Sequence, residues 1–234
     1  CSLGEKRKKT MNTTALYKKL DELGRIRLSD NFFLREFLYS EIAIAYGLVN
    51  IPENLDVAVK VGSELCQHLL EPLQKAWGKV HVRSGYRAKA VNQIGNTNKH
   101  NCSSNAANYG AHIWDERDRD GFMGATACIV IPAYLSHFDK TGDWMSLAWW
   151  VHHNIPAYTD MCFFKQQCAF NIRWSENPEK RQQIKTYLLN TDTQDKSQLV
   201  NRGVAHAHYQ SISPTQRYQA CTDLLLSSMN NEVN

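Results

Sequence analysis

The chain has 234 residues, 43% of them hydrophobic and 21% charged, and a formal net charge of +4. That is enough for one sizeable core and ordinary for a globular chain, so neither disorder nor a membrane protein is expected. No apolar run approaches the roughly 18 residues of a bilayer span. The excess charge sits mostly in Lys6, Arg7, Lys8 and Lys9, which argues against a nucleic-acid partner, since phosphate binding needs a broader basic surface.

The first ten residues, CSLGEKRKKT, are basic and lead to Met11 without the apolar core of an export signal. Met11 as the natural start, with the upstream stretch an extension, is one reading. The seven cysteines are odd in number and include no CxxC pair, so reduced thiols in a cytoplasm are expected.

In chain order, Thr14 to Gly24 is predicted as a helix, and Leu28 to Asn31 as a turn in which Ser29 and Asp30 cap the next segment. Val57, Val61, Leu65, Leu69 and Leu73 recur at helical spacing, predicting a long amphipathic helix that Gly78 ends. "KVHVRSGY" alternates as a strand, with Val80 and Val82 on one face and His81 and Arg83 on the other. A helix resumes from Arg87 to Ile94, then Gly95 to Tyr109 is a long irregular loop of the kind that often carries function.

"TACIVIPAY" and "CAFNIRW" are predicted strands, while "DWMSLAWWVHHN", "NPEKRQQIKTYLLN" and "SPTQRYQACTDLLLSSM" are predicted helices, the last with Ser213 as cap and Pro214 in its first turn. A few strands with separate helices make an α+β fold. The division expected is a basic leader with an N-terminal helix (1–30), one domain (31–176) and a C-terminal helical extension (177–234).

The words "NFFLREFLYSEIA", "NIPENL", "HLLEPLQKAWG", "VRSGYR" and "VNQIGN", with the loop beyond them, resemble in order and spacing the zinc D-alanyl-D-alanine carboxypeptidase family, in particular its compact phage-type members. The resemblance covers Asn31 to Trp174. It implies the Hedgehog/D,D-peptidase fold, with a small antiparallel sheet flanked by helices, and an origin in a phage or mobile element. In that family SGYR is followed by a lone Asn and by S-x-H-x-x-G-x-A-x-D, with a later E-x-x-H strand. Two His and the Asp hold zinc, and the Glu is general base on its water.

Carried onto this chain, Ser103 stands for the serine, Asn105 for the first zinc His, Asn108 for the glycine, Gly110 for the alanine and His112 for the zinc Asp. Asn171 takes the place of the second His and Cys168 that of the Glu. An alternative alignment through "RDGFMGATACIVIP" puts Gly121 and Cys128 at the first His and the Asp. Either way the ligands are gone, and neutral amides with one His lack the charge and softness that zinc selects. No cofactor is therefore expected, although the family implies zinc.

What persists faces the substrate. The resemblance implies that Arg87 positions the ligand, and its planar fork of donors suits a carboxylate or a phosphate. Ser84, Tyr86, Arg87, Ser103, Asn105 and Asn171 are the expected ligand-binding set for a small molecule or peptide. Alternatively, Ser84, Tyr86 and Arg87 maintain the strand-to-helix turn. A sharper reading makes His112 and Asp115 an acid/base pair beside a Cys102 nucleophile, and His100 with these three a different metal site. "WDERDRDG" is expected as a solvated turn. His152-His153, beside two tryptophans, are expected to pack, and His206 and His208 to be incidental strand neighbours.

The leading expectation is a protein that has lost zinc peptidase activity and uses the remnant cleft to bind a ligand. The competing one is an active cell-wall D,D-peptidase or other hydrolase with a non-standard site around His112.

Overall fold

The computed structural model describes residues 12–179 and 182–231; the basic leader and Met11 lie outside the described residues. Helix α1, Thr13–Gly24, begins where Asn12 Oδ1 accepts from Ala15 N at 2.8 Å, one residue from the predicted start. Ser29 and Asp30 do not cap a helix. Instead Ser29 Oγ donates to Glu71 Oε1 at 2.7 Å, and Asn31 gives both its backbone N–H and its Nδ2 to the same carboxylate. The chain then passes through a 3-10 turn at Leu34–Phe37 to the short helix α2, Glu41–Ala45, which Ser40 caps.

The predicted long helix forms with an irregularity inside it. Helix α3, Leu55–Leu65, is capped by Asn54 and runs through a π turn, Cys66–Leu70, into α4, Glu71–Trp77. Pro72 explains the wide turn: it has no N–H to give His68 O, and its ring would strike that carbonyl in a regular helix. Gly78 stops the run with φ 74°, a left-handed setting that favours glycine.

After β1, His81–Ser84, come α5, Lys89–Thr97, and the single-turn helix α6, Asn105–Asn108. Strand β2, Gly124–Val130, leads to α7, Pro132–Thr141, and α8, Met145–Asn154; β3 and β4 are Asp160–Phe163 and Phe170–Ser175. Strands β5, Gln183–Thr186, β6, Val200–Asn201, and β7, Val204–Ala205, precede α9, Pro214–Arg217, and α10, Gln219–Asn231. The expected Ser213 cap is present as a full capping box with Gln216.

The architecture is α+β, as expected, but the sheet is larger and less uniform. Seven strands lie in the order β1-β2-β4-β3-β5-β6-β7, and β3 with β5 is a parallel pair among antiparallel ones. The predicted helix at "NPEKRQQIKTYLLN" is instead strand β5, so 177–234 is not a purely helical extension: it opens with three strands of the same sheet. Glu, Lys, Arg and Gln give that segment a helical bias of only tenths of a kcal/mol per residue. Pairing outweighs it: Gln183 N and Tyr187 N bond Thr159 O and Phe163 O, and Ile184 is fully buried.

The two sheet faces differ in chemistry because strand residues alternate. Ala125, Ala127, Ile129, Met161, Phe163, Phe170 and Ile172 are buried in the main core with α3 and α4. Trp114 seals that layer, its Nε1 bonded to Thr126 O at 3.1 Å and its ring against Gly62 of α3. The opposite face presents Cys128, Asn171 and Cys162 side by side on β2, β4 and β3. Ile184, Leu199, Val200, Tyr209 and Cys221 belong to the same core as Leu34 and Phe37, so one core joins both ends of the described chain. No helix among the described residues is long and apolar enough to cross a membrane.

Candidate ligand-binding site

The polar face of the sheet floors a cleft of about 820 Å³, within the roughly 300–1,000 Å³ usual for small-molecule sites. One row of its floor reads Ser84, Cys128, Asn171 and Cys162 across four neighbouring strands. The α5–α6 loop and the segment at His112 form a wall, and Tyr39, Glu41, Phe164 and Tyr187 also line the cleft. Phe164 and Tyr187 stack, with ring centroids 5.6 Å apart and planes at 13°.

The SGYR turn is held from behind by buried polar side chains. Asn50 Nδ2 donates to Leu38 O and Tyr86 O, while its Oδ1 accepts from Ala88 N at 2.7 Å. Gly85 lies so close to Phe37 that a Cβ there would sit 3.2 Å from the Phe37 Cα, so any larger residue would displace the turn. Arg87 N donates to His112 O at 2.8 Å, and His112 Nδ1 meets Gly85 O at 3.0 Å. The two segments that the sequence resemblance singles out are thus bonded to each other in both directions.

A carbonyl only accepts, so His112 Nδ1 is the donor and its Nε2 keeps a free lone pair. Burial, helped by the Arg87 charge, pushes the His112 imidazole down to about 4, so it is neutral near pH 7. His152, bonded to Tyr158 Oη at 2.7 Å, is likewise pushed down to about 4 by burial, and His153 is lowered for the same reason.

The unfolded chain takes up these protons near the ordinary value of 6.5 and the folded chain only near 4. Between those values the unfolded state binds more protons, so stability falls as pH drops from about 6.5 to about 4. Urea unfolding across that window should show the decline, and His112→Gln should flatten it; an unchanged slope in the variant would count against a neutral His112.

Arg87 Nη1 donates to Asn92 Oδ1 at 3.2 Å and to Cys102 Sγ at 3.1 Å, and no carboxylate pairs with Arg87 among the described residues. Asn92 is fully buried and organises the loop, donating to Ser103 O and Asn105 Oδ1 and accepting from Asn108 Nδ2. The predicted irregular loop is therefore built around one side chain.

Of the residues singled out from the sequence, Ser84, Tyr86, Arg87, Cys102, Ser103, His112 and Asn171 line this cleft. Asn105 and Asp115 are not among its lining residues. Asn105 Oδ1 accepts from Asn92 at 2.7 Å and its Nδ2 gives to Lys89 O, so it is spent on holding α6. Asp115 Oδ2 accepts from Glu53 N at 2.8 Å, Asn54 N at 3.1 Å and Tyr86 Oη at 3.3 Å. This carboxylate serves the start of α3, and no hydrogen bond or ion pair joins it to His112 among the described residues. The acid/base pair with a Cys102 nucleophile is not assembled, because His112 Nδ1 is spent on Gly85 and Cys102 Sγ faces Arg87 and His100 O.

Cys168, aligned with a general base, is buried in the core on a 3-10 turn and does not line the cleft. In the "WDERDRDG" turn Asp118 Oδ1 accepts from Asp120 N and Phe122 N, and Arg173 lies 3.5 Å from Asp118 Oδ2, so the turn is tied to β4. His206 Nδ1 accepts from His208 N, a local turn contact.

Cys128, Cys162 and Arg83 also line the cleft. Burial pushes both thiols up to about 11, leaving them protonated near pH 7. The strand alternation around Asn171 would have pointed to the cysteines once the partners of β4 were known. The alternation of β1 already sets Arg83 on the face opposite the core-side Val80 and Val82.

No family model, no curated protein and no solved structure matches this chain. The zinc that the resemblance implies is then judged on the residues themselves. Among the described residues no three His, Cys, Asp or Glu side chains converge to hold a metal ion. Asn105 is turned into the loop, and Asn171 offers a neutral amide beside a His112 whose Nδ1 is engaged. The set does not fit zinc.

Proposed function

We propose that this chain is a divergent protein of the Hedgehog/D,D-peptidase type, cytoplasmic and of phage or mobile-element descent. In this reading it has lost zinc peptidase chemistry and uses the remnant cleft to hold an anionic small-molecule or peptide ligand. The observation that carries the reading is the Arg87 guanidinium in the cleft, steadied by Asn92 and Cys102 with no carboxylate partner among the described residues. A guanidinium that is not neutralised within its own protein is a carboxylate or phosphate receptor. Further support comes from the mutual bonding of the Ser84–Arg87 turn and His112, and from Asn171 lining the same cleft.

Protein dialysed against a chelator is expected to retain no stoichiometric zinc and to leave peptides ending in D-Ala-D-Ala intact. Those peptides, or inorganic phosphate, are expected to raise the melting temperature of the wild type and not of Arg87→Ala. Retained zinc with turnover would overturn the reading. One observation favours the alternative of a hydrolase built around His112: the neutral ring keeps its Nε2 lone pair as a weak base. Muropeptide turnover abolished by His112→Ala would establish that alternative instead.

A further inference from the structure

The register of β1 against β2 contains one extra residue. Val82 faces Ile129 and Ser84 faces Cys128, so two steps along β1 match one step along β2, and Arg83 is the residue inserted. Val82 lies on the core side with Ile129, so regular alternation puts Arg83 on the cleft side and would turn Ser84 back towards the core. The bulge breaks that alternation and re-aims Ser84 to the cleft side, next to Arg83, and bulges gather next to functional sites for this reason. Here Arg83 and Ser84 both line the cleft, together with Arg87 four residues on, past the Gly85 turn. Arg83 is exposed and, like Arg87, pairs with no carboxylate among the described residues. Both guanidinium groups act on the Cys128 thiol, pulling it down against its burial, so both fields reach the same part of the floor.

We infer that Arg83 and Arg87 form a two-guanidinium anchor that selects a dianion, specifically a phosphate monoester, over a single carboxylate. This inference rests on the reading of the cleft as an anion-binding site. Two fixed positive charges, each able to donate in a fork, match a group with two negative charges and three acceptor oxygens. Neutral His112 adds no charge of its own. Glu41 is the acid that also lines the cleft, and it opposes any anion placed there.

The test is calorimetric titration of the full chain at constant ionic strength and about pH 8, where a phosphate monoester is a dianion. The probes are inorganic phosphate, glycerol phosphate and acetate, with Arg202→Gln as a control for net charge at an exposed site on the far hairpin. Both phosphates should bind at least about tenfold more tightly than acetate. Arg83→Gln should cost about tenfold in phosphate affinity while moving acetate by less than about twofold, and Glu41→Gln should tighten phosphate.

Equal affinity for acetate and phosphate, or phosphate binding unaffected by Arg83→Gln, would overturn the inference. If Arg87→Gln abolishes binding of every anion while Arg83→Gln changes none, the inference falls and the binding-cleft reading stands. If no anion binds the wild type, both fall.

Discussion

Asn92→Ala is expected to destabilise the protein by about 3 kcal/mol and to loosen the wall of the cleft. The side chain is fully buried and takes part in four hydrogen bonds, with Arg87, Ser103, Asn105 and Asn108. Its removal leaves polar groups without partners in a poorly hydrated place, at roughly 1–3 kcal/mol each where no water reaches. For a chain of this length that corresponds to a fall of roughly 6–12 °C in melting temperature, readable by calorimetry.

Asn92→Asp separates the local roles. It keeps an acceptor for Arg87, loses the donors to Ser103 O and Asn105 Oδ1, and places a carboxylate against the guanidinium. Anion binding should then disappear even where the fold survives, because Arg87 is neutralised from within. Unchanged stability in Asn92→Ala would mean that the loop does not depend on this side chain.

Asp115→Ala is the second large effect, expected at about 2–3 kcal/mol. One carboxylate oxygen holds Glu53 N, Asn54 N and Tyr86 Oη, and hydrogen bonds to a charged acceptor are the stronger kind. Asn54 caps α3, so the negative charge also sits at the favourable end of that helix dipole. Asp115→Asn should lose about half as much, since an acceptor remains without the charge. Chemical denaturation of the two variants reads this order. If Asp115→Ala left stability unchanged while abolishing a measured turnover, Asp115 would belong to the chemistry and not to the scaffold.

The contrast between Asp115 and His112 shows where the sequence stops being informative. The two are three residues apart and carry the residue types of an acid/base pair, yet the turn from Tyr109 to Gly121 sends one to the start of α3 and the other to the cleft. Proximity in the chain carries no information about direction, because a non-repeating turn has no period from which to infer which way a side chain points. Segments with a period are legible: the Val57–Leu73 helix, the β1 and β4 strands, the Gly78 stop and the Ser213 cap all arise from local chemistry, and β2 does so as far as Val130, beyond which Pro132 opens α7 where "TACIVIPAY" predicts more strand. "NPEKRQQIKTYLLN" departs from its predicted helix for the opposite reason, since its helical propensity is real and is overridden by pairing with β3.

The α+β class, the amphipathic helix face, the Gly78 stop and the Ser213 cap were determined by the sequence alone, because each depends on residues close together in the chain. Only the tertiary structure decided that Asn105 closes the loop instead of facing the cleft, that Cys128 and Cys162 flank Asn171, and that the bulge turns Ser84 into the cleft lined by Arg83 and Arg87. Strand register and buried hydrogen-bond partners are settled between residues tens of positions apart, where the free energy of pairing and burial exceeds any local preference.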